Sequence, residues 1–284
     1  GFLACLSGGA KLHSRANMED LGGKIYSNTL AEDTFTTFYT QMKGRRAIFE
    51  PNALVYAEEP NSLDGLWKQR VRWARGNVQI TKTFRNTWFK KSENRAIGSL
   101  PMGLIWFSIF LMPIFQISAS LSLIMLYFVN EDLAWMVFRA LWIIAGIVYL
   151  VVTFGSFIVD HESIEKSWGQ GILFPGIVSL GLITHSLAPG LFPYIVEVLG
   201  FHWPQDPPAW GVLFIYSWLS INMAVAYFAY YCEERPKLKR LSPWILHIGG
   251  YGAFLCAVTL GSYIKELTGE KMTWDKTEKT GQMS

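Results

Sequence analysis

Five long apolar stretches constrain this chain more than any other feature: residues 100–129, 134–159, 172–199, 210–231 and 243–264. A bilayer core about 30 Å thick is crossed by about 20 helical residues, so each stretch is long enough to span it. Of the 284 residues, 51% are apolar and only 17% charged, and much of the charge falls before residue 100. The expected architecture is therefore a polar N-terminal part joined to membrane helices. Orientation follows from the loops. Residues 130–133 and 201–209 carry no Lys or Arg, whereas 233–241 carry Arg235, Lys237, Lys239 and Arg240. An excess of cations marks the cytoplasmic side, which places this loop and the basic run before residue 100 on that side. Five crossings would leave the C-terminus outside. The stretch 243–264 is the weakest, since it holds His247, Gly249, Gly250, Gly252, Thr259 and Gly261. Four spans within 100–242 are expected, with 243–264 lying in the interface or re-entering; a fifth true span is the alternative.

The polar part has a mixed α/β pattern. Phe2-Leu3-Ala4-Cys5-Leu6 is a short apolar run of the kind found in buried strands, and Ser7-Gly8-Gly9-Ala10 after it lets a ligand approach the backbone. Residues 34–43 predict an amphipathic helix stopped by Gly44, and residues 46–50 and 53–57 predict strands split by Pro51-Asn52. Ser62-Leu63-Asp64-Gly65 opens a further helix. The domains expected are 1–61, 62–99 with interfacial helices, 100–242 with the spans, and 243–284. Gly1-Phe2-Leu3-Ala4 has the look of a domain interior, so a portion upstream is expected, and no signal peptide opens the chain. The three cysteines, Cys5, Cys232 and Cys256, form neither a disulfide framework nor a metal pattern. A net charge of +3, set close to the apolar stretches, fits anionic headgroups or a phosphorylated ligand rather than nucleic acid.

Two motifs carry chemistry. On a helix, Gln69, Arg72 and Trp73 lie at i, i+3 and i+4 and share one face. A guanidinium fork suits a diphosphate, and an indole offers a flat apolar surface to a sugar ring. The same residues would equally anchor an interfacial helix at the headgroups. Ala31-Glu32-Asp33 places two carboxylates at a turn before a helix. One is a candidate general base, and the alternative is stabilisation of the first helical turn through the dipole. The five histidines show no i, i+4 pairing that would mark a metal site. His185 and Glu197, near the third apolar stretch, either line a polar path or form a structural pair. The tail around Trp274 is a solvated end on its composition alone, although a tryptophan is unusual there.

Taken in order, these motifs resemble those of the C-terminal portion of membrane-embedded family 2 glycosyltransferases, the group of the cellulose, hyaluronan, chitin and poly-N-acetylglucosamine synthases. Ser7-Gly8-Gly9-Ala10 is similar to the acceptor-site segment, with Ser7 where the family has cysteine. Ala31-Glu32-Asp33 is similar to the Thr-Glu-Asp motif, with Ala31 replacing Thr, and Gln69, Arg72 and Trp73 match Q-x-x-R-W in full. Trp274, Thr277 and Lys279 resemble, more loosely, the loop that closes over the nucleotide in hyaluronan and chitin synthases.

The resemblance implies a partial GT-A-type α/β domain followed by an α-helical transmembrane bundle. It implies inverting, processive sugar transfer to a polysaccharide at the cytoplasmic face of a bacterial inner membrane. The donor would be a nucleotide-sugar, UDP-linked in most of the family, and accessory subunits or a homo-oligomer would be compatible. Asp33 would be the catalytic base with Glu32 beside it. Ser7, Gly8, Gly9, Gln69, Arg72, Trp73, Trp274, Thr277 and Lys279 would hold substrates. The family also uses Mg2+ or Mn2+ at a D-x-D motif. Residues 1–60 contain none, so those ligands are expected upstream of Gly1. Transfer of a single sugar to a lipid carrier, and a non-catalytic transport or assembly role, are the competing expectations.

Overall fold

The structure is a computed structural model that describes residues 3–6, 8–25, 28–50, 52–53, 55–90, 97–159, 165, 168–169, 171, 174–202 and 208–272. Among the described residues every regular element is helical. The chain divides into two units, one made of Gly1–Met112 with Val258–Ser284 and the other of Pro113–Ala257.

In the first unit, helices α1 (Arg15–Asp20), α2 (Glu32–Met42), α3 (Leu63–Thr83) and α4 (Leu100–Phe110) follow one another. Three of them start where a serine hydroxyl accepts from an early backbone N–H. Ser14 caps α1 through Asn17, Ser62 caps α3 through Gly65, and Ser99 caps α4 through Met102. The start of α2 lacks a side-chain cap and instead carries Glu32 and Asp33 in its first turn, where the dipole favours negative charge. Phe35 and Phe38 of α2 and Ile80 and Phe84 of α3 build a core with Trp88, Ile97 and Met102. Trp88 and Trp106 stack with centroids 5.3 Å apart. Both indoles donate to Thr81, Trp88 to its carbonyl at 3.0 Å and Trp106 to its hydroxyl at 2.9 Å. Burying these N–H groups therefore leaves none without an acceptor.

The strands expected near residues 2–6, 46–50 and 53–57 do not form among the described residues; those segments are irregular. A strand exists only through ladder bonds to a neighbour. Leu3 and Leu6 instead bond to side chains of α2, and Ile48, Phe49 and Tyr56 are exposed with no described strand beside them.

The second unit contains α5 (Met112–Val129), α6 (Glu131–Val159), α7 (Ile177–Leu187), α8 (Leu191–Val198), α9 (Ala209–Tyr216), α10 (Trp218–Glu233), a 3-10 turn at Lys239–Leu241, α11 (Ser242–Gly249) and the start of α12 (Tyr251–Leu267). Helices α5 and α6 are each long and apolar enough to cross a membrane. Two further pairs pass that test only as bent units: α9 with α10, turned by 72°, and Lys239–Gly249 with α12, turned by 102°. The apolar stretches are thus more broken than their composition suggests. The first is interrupted at Leu111, because Pro113 has no N–H to offer the carbonyl one turn back. The third is interrupted at residues 188–190, where Pro189-Gly190 ends α7.

The bend at Gly250 follows from a backbone crossing. Gly176 (φ +85°) and Gly250 (φ +91°) lie against each other, and a Cβ on Gly176 would stand 2.6 Å from the carbonyl oxygen of Ile248. Neither position admits a side chain, for conformational and steric reasons together. Gly176→Ala is expected to destabilise the protein by about 2–4 kcal/mol, combining a left-handed alanine with overpacking. Thermal unfolding in detergent measures this, and an unchanged midpoint would show that the crossing relaxes freely.

Candidate active site

One stripe of α2 organises the N-terminal segment. Asp33, Thr37 and Gln41 stand at i, i+4 and i+8 and therefore on one face. The Gln41 amide accepts from Leu3 N–H at 3.0 Å and donates to the Leu3 carbonyl at 2.8 Å. The Thr37 hydroxyl oxygen accepts from Leu6 N–H at 3.1 Å, and the Asp33 carboxylate from Gly8 N–H at 3.2 Å. The chain therefore runs antiparallel to the helix.

This ladder brings Gly8 onto the acidic pair. A Cβ at residue 8 would stand 3.6 Å from Glu32 Oε1 and 3.7 Å from Asp33 Oδ2, so the glycine leaves open the space both carboxylates border. The other Asp33 oxygen accepts from Thr34 N–H at 2.6 Å. Lys11 reaches in from beyond the loop and donates from Nζ to the Asp33 carbonyl and, at 3.2 Å, to the Thr37 hydroxyl. Burial lowers the Lys11 pKa, and the negative charge of Asp33 partly opposes that shift. Beside this arrangement lies a cavity of about 610 Å³ lined by Leu6, Lys11, His13, Asn17, Thr37 and Arg45, among others. Burial also lowers the His13 pKa, helped by the charge of Lys11. Of the other expected acceptor-segment residues, Gly9 is exposed and Ser7 lies outside the described residues.

Helix α3 is keyed to the turn that precedes the acidic pair. Gly76 lies against Ala31 so closely that a Cβ on it would stand 2.5 Å from Ala31 Cβ and 2.8 Å from its nitrogen. The Gln79 side-chain amide oxygen (Oε1) accepts from the Thr29 hydroxyl at 3.0 Å and from Leu30 N–H at 2.9 Å. Gln79 also donates to Glu266 at 3.1 Å. Arg75, buried on the same side, donates from Nε to Glu266 at 2.7 Å and to the carbonyls of Glu270 at 2.6 Å and Lys271 at 3.2 Å. Sequence reasoning missed Arg75, Gly76 and Gln79 by treating them as part of a basic run. The signal was present, because they follow Arg72 at i+3, i+4 and i+7 and so continue its face.

The expected binding face of α3 lies toward the start of the helix from that contact. Gly76 continues the row Gln69, Arg72, Trp73, and Arg72 is one turn, about 6 Å along the axis, before it. The Gln69 amide donates to Glu59 at 3.4 Å. The guanidinium of Arg70 sits over the Trp73 ring, 4.3 Å from its centroid, and Trp73 is 42% exposed. Gln69 thus faces Glu59 rather than the acidic pair, and what links α3 to Ala31-Glu32-Asp33 is Gly76 and Gln79. Trp274, Thr277 and Lys279 lie outside the described residues. Glu197 is exposed on α8 and so forms no buried pair with His185 of α7. Among the described residues no three His, Cys, Asp or Glu side chains gather as metal ligands. The acidic pair, with Asp33 already engaged by Gly8 and Thr34, does not fit an Mg2+ or Mn2+ site by itself.

Residues 6–158 match the family described as Glycosyl transferase family group 2, and the chain belongs to that family. Among its relatives is the "Probable glycosyltransferase YdaM" of Bacillus subtilis, 26% identical over 152 residues, which cover 54% of this chain and 36% of the relative. Another is the poly-beta-1,6-N-acetyl-D-glucosamine synthase of Staphylococcus aureus, 34% identical over 82 residues, or 28% of this chain and 19% of that one. The chain thus aligns with little more than a third of the first relative and just under a fifth of the second. No solved structure matches it.

Cys5 reports on the surroundings of the acidic pair. It is exposed as a residue, whereas Cys232 and Cys256 are buried. Its pKa is nevertheless raised, first by local burial of the thiol and further by the charge of Asp33, against an opposing hydrogen bond with Thr34. A raised pKa means less thiolate at a given pH. Maleimide labelling of Cys5 at pH 7.5, followed by peptide mass spectrometry, should be slower than that of a free cysteine, and its pH midpoint should lie higher. Labelling as fast as free cysteine would contradict this surrounding.

Proposed function

We propose that the chain carries the acceptor side of an inverting, processive, membrane-embedded glycosyltransferase of GT-A type. In this reading, an acceptor sugar hydroxyl sits beside Gly8 and Gly9, with Ser7 next to it. Asp33 takes its proton while the oxygen bonds to the anomeric carbon of the donor. The bond from that carbon to the nucleoside diphosphate breaks, and configuration inverts. Glu32 keeps the site anionic and orients the hydroxyl. Arg72, joined by Lys279, meets the charge that grows on the leaving diphosphate, where a fixed cation helps most. Gln69 and Trp73 hold the acceptor, and Trp274 and Thr277 help retain the nucleotide. Mg2+ or Mn2+ is the expected cofactor, and none of these steps runs through it.

The observation that carries the reading is the Gly8 N–H held at 3.2 Å on the Asp33 carboxylate, at the start of the helix that follows the turn of residues 29–31 held by Gly76 and Gln79. The S. aureus relative is named for N-acetylglucosamine polymerisation, which makes UDP-N-acetylglucosamine the first donor to test. Helices α5 and α6, and the bent pairs α9–α10 and α11–α12, are the elements proposed to form the membrane bundle. In this reading the last pair returns the tail to the cytoplasm.

Asp33→Asn is the decisive variant, because asparagine can still accept from Gly8 and preserve the fold. Sugar incorporation by the full chain in membranes should fall by about 10²–10⁴-fold while helical circular dichroism is unchanged. Near-normal turnover would end the assignment. Trp73→Phe, which keeps a ring but loses the indole, should raise the acceptor KM by about five-fold or more and leave donor hydrolysis nearly unchanged. The length of the labelled product decides between a polymer and the addition of one sugar to a lipid carrier.

A further inference from the structure

Helices α1, α3 and α4 begin on a serine cap, whereas α2 begins on Ala31, which has no hydroxyl to offer. The start of α2 is held from outside instead. Ala31 N–H donates to the Thr29 hydroxyl at 3.2 Å, and that hydroxyl donates to Gln79 Oε1 at 3.0 Å. Leu30 N–H donates to the same Gln79 oxygen at 2.9 Å. Thr29 is 5% exposed and Leu30 and Ala31 are 6% exposed, so these donors depend on acceptors within the protein.

The other end of the Gln79 amide faces α12. Its Nε2 donates to Glu266 Oε1 at 3.1 Å and lies 3.3 Å from Met272 Sδ. A flipped amide would set its oxygen against the Glu266 carboxylate and its NH2 against Leu30 N–H, so Glu266 and the turn enforce the same orientation. Glu266 Oε1 also accepts from Arg75 Nε at 2.7 Å. The Arg75 side chain is 5% exposed and that of Glu266 20%. Residues 258–267 of α12 belong to the same unit as α2 and α3. Hydrogen bonds therefore run unbroken from Ala31 through Thr29 and Gln79 to Glu266. Every donor along this line points toward the carboxylate, an order in which each bond polarises and strengthens the next.

We infer that Gln79 and Glu266 form a positioning pair for Asp33. Glu266, at the far end of the chain, holds the Gln79 amide, and the Gln79 oxygen holds the turn that sets where Glu32 and Asp33 begin α2. The inference rests on the proposed role of Asp33 as base. Neither residue of the pair touches the reacting groups; both act through the backbone of residues 29–31.

Two measurements on the full chain test it. The first is amide hydrogen exchange in detergent, read at Leu30 by mass spectrometry. Gln79→Met keeps the side-chain length and removes the acceptor, and Leu30 should exchange about ten-fold faster. Gln79→Glu combined with Glu266→Gln should restore exchange to within about three-fold. The carboxylate at 79 then accepts from Thr29 and Leu30, and the amide at 266 donates to it while keeping an oxygen for Arg75. This exchanged pair also guards against misfolding of the methionine variant. The second measurement is sugar incorporation in membranes. Gln79→Met should lower kcat about ten-fold with the donor KM within about two-fold, and the same substitution should cost nothing further in Asp33→Asn. Unchanged exchange at Leu30, or an exchanged pair that recovers neither exchange nor turnover, overturns the inference. A loss of turnover that persists undiminished in Asp33→Asn overturns the positioning role and leaves the base in place. Near-normal turnover of Asp33→Asn alone would remove the base assignment, and the positioning role with it.

Discussion

The close approach of Gly76 to Ala31 is the constraint from which the candidate site follows. A glycine inside a helix costs about 1 kcal/mol relative to alanine, so α3 gives up intrinsic stability at its centre. In exchange, the turn of residues 29–31 lies directly on the helix, and Gln79 can take the Leu30 N–H that would otherwise be left without a partner. That turn launches α2, whose first residues are Glu32 and Asp33. Fixing the turn therefore fixes the carboxylates relative to the helix carrying Gln69, Arg72 and Trp73. On its other side, α3 holds Glu266 of α12 through Arg75 and Gln79. Such a pair in a buried setting defines geometry more than it adds stability.

The helical parts of this arrangement were legible in the sequence, because periodicity and capping act locally. The start of α3 after Ser62, the acidic first turn of α2 and the shared face of Gln69, Arg72 and Trp73 all follow from residue order. The strands expected near residues 46–50 and 53–57 do not form among the described residues, and local pattern misled there. Short apolar runs there suggest strands, but pairing needs a second strand, and a local run of apolar residues says nothing about one. Arg75 and Gln79 were overlooked for a related reason. Their partners Glu266, Glu270 and Lys271 lie almost two hundred positions away, and local charge patterning treats such residues as solvated.

In the second unit, composition overstated continuity. Pro113, Pro189, Ser217 and Gly250 each fall at or beside a break in an apolar stretch. Hydropathy averages over these residues, whereas the backbone does not. Where α11 and α12 meet, a glycine pair lets two backbone segments cross at contact distance, so the bend packs against Pro175 and Gly176.

The stripe of Asp33, Thr37 and Gln41 has a mechanical consequence. All three grips on residues 3–8 come from one line along a rigid rod. Turning that rod by a single residue, about 100°, would release every grip at once. Leu3, Leu6 and Gly8 are thus all held from one face of α2, so a rotation of that helix would disturb every one of these bonds together.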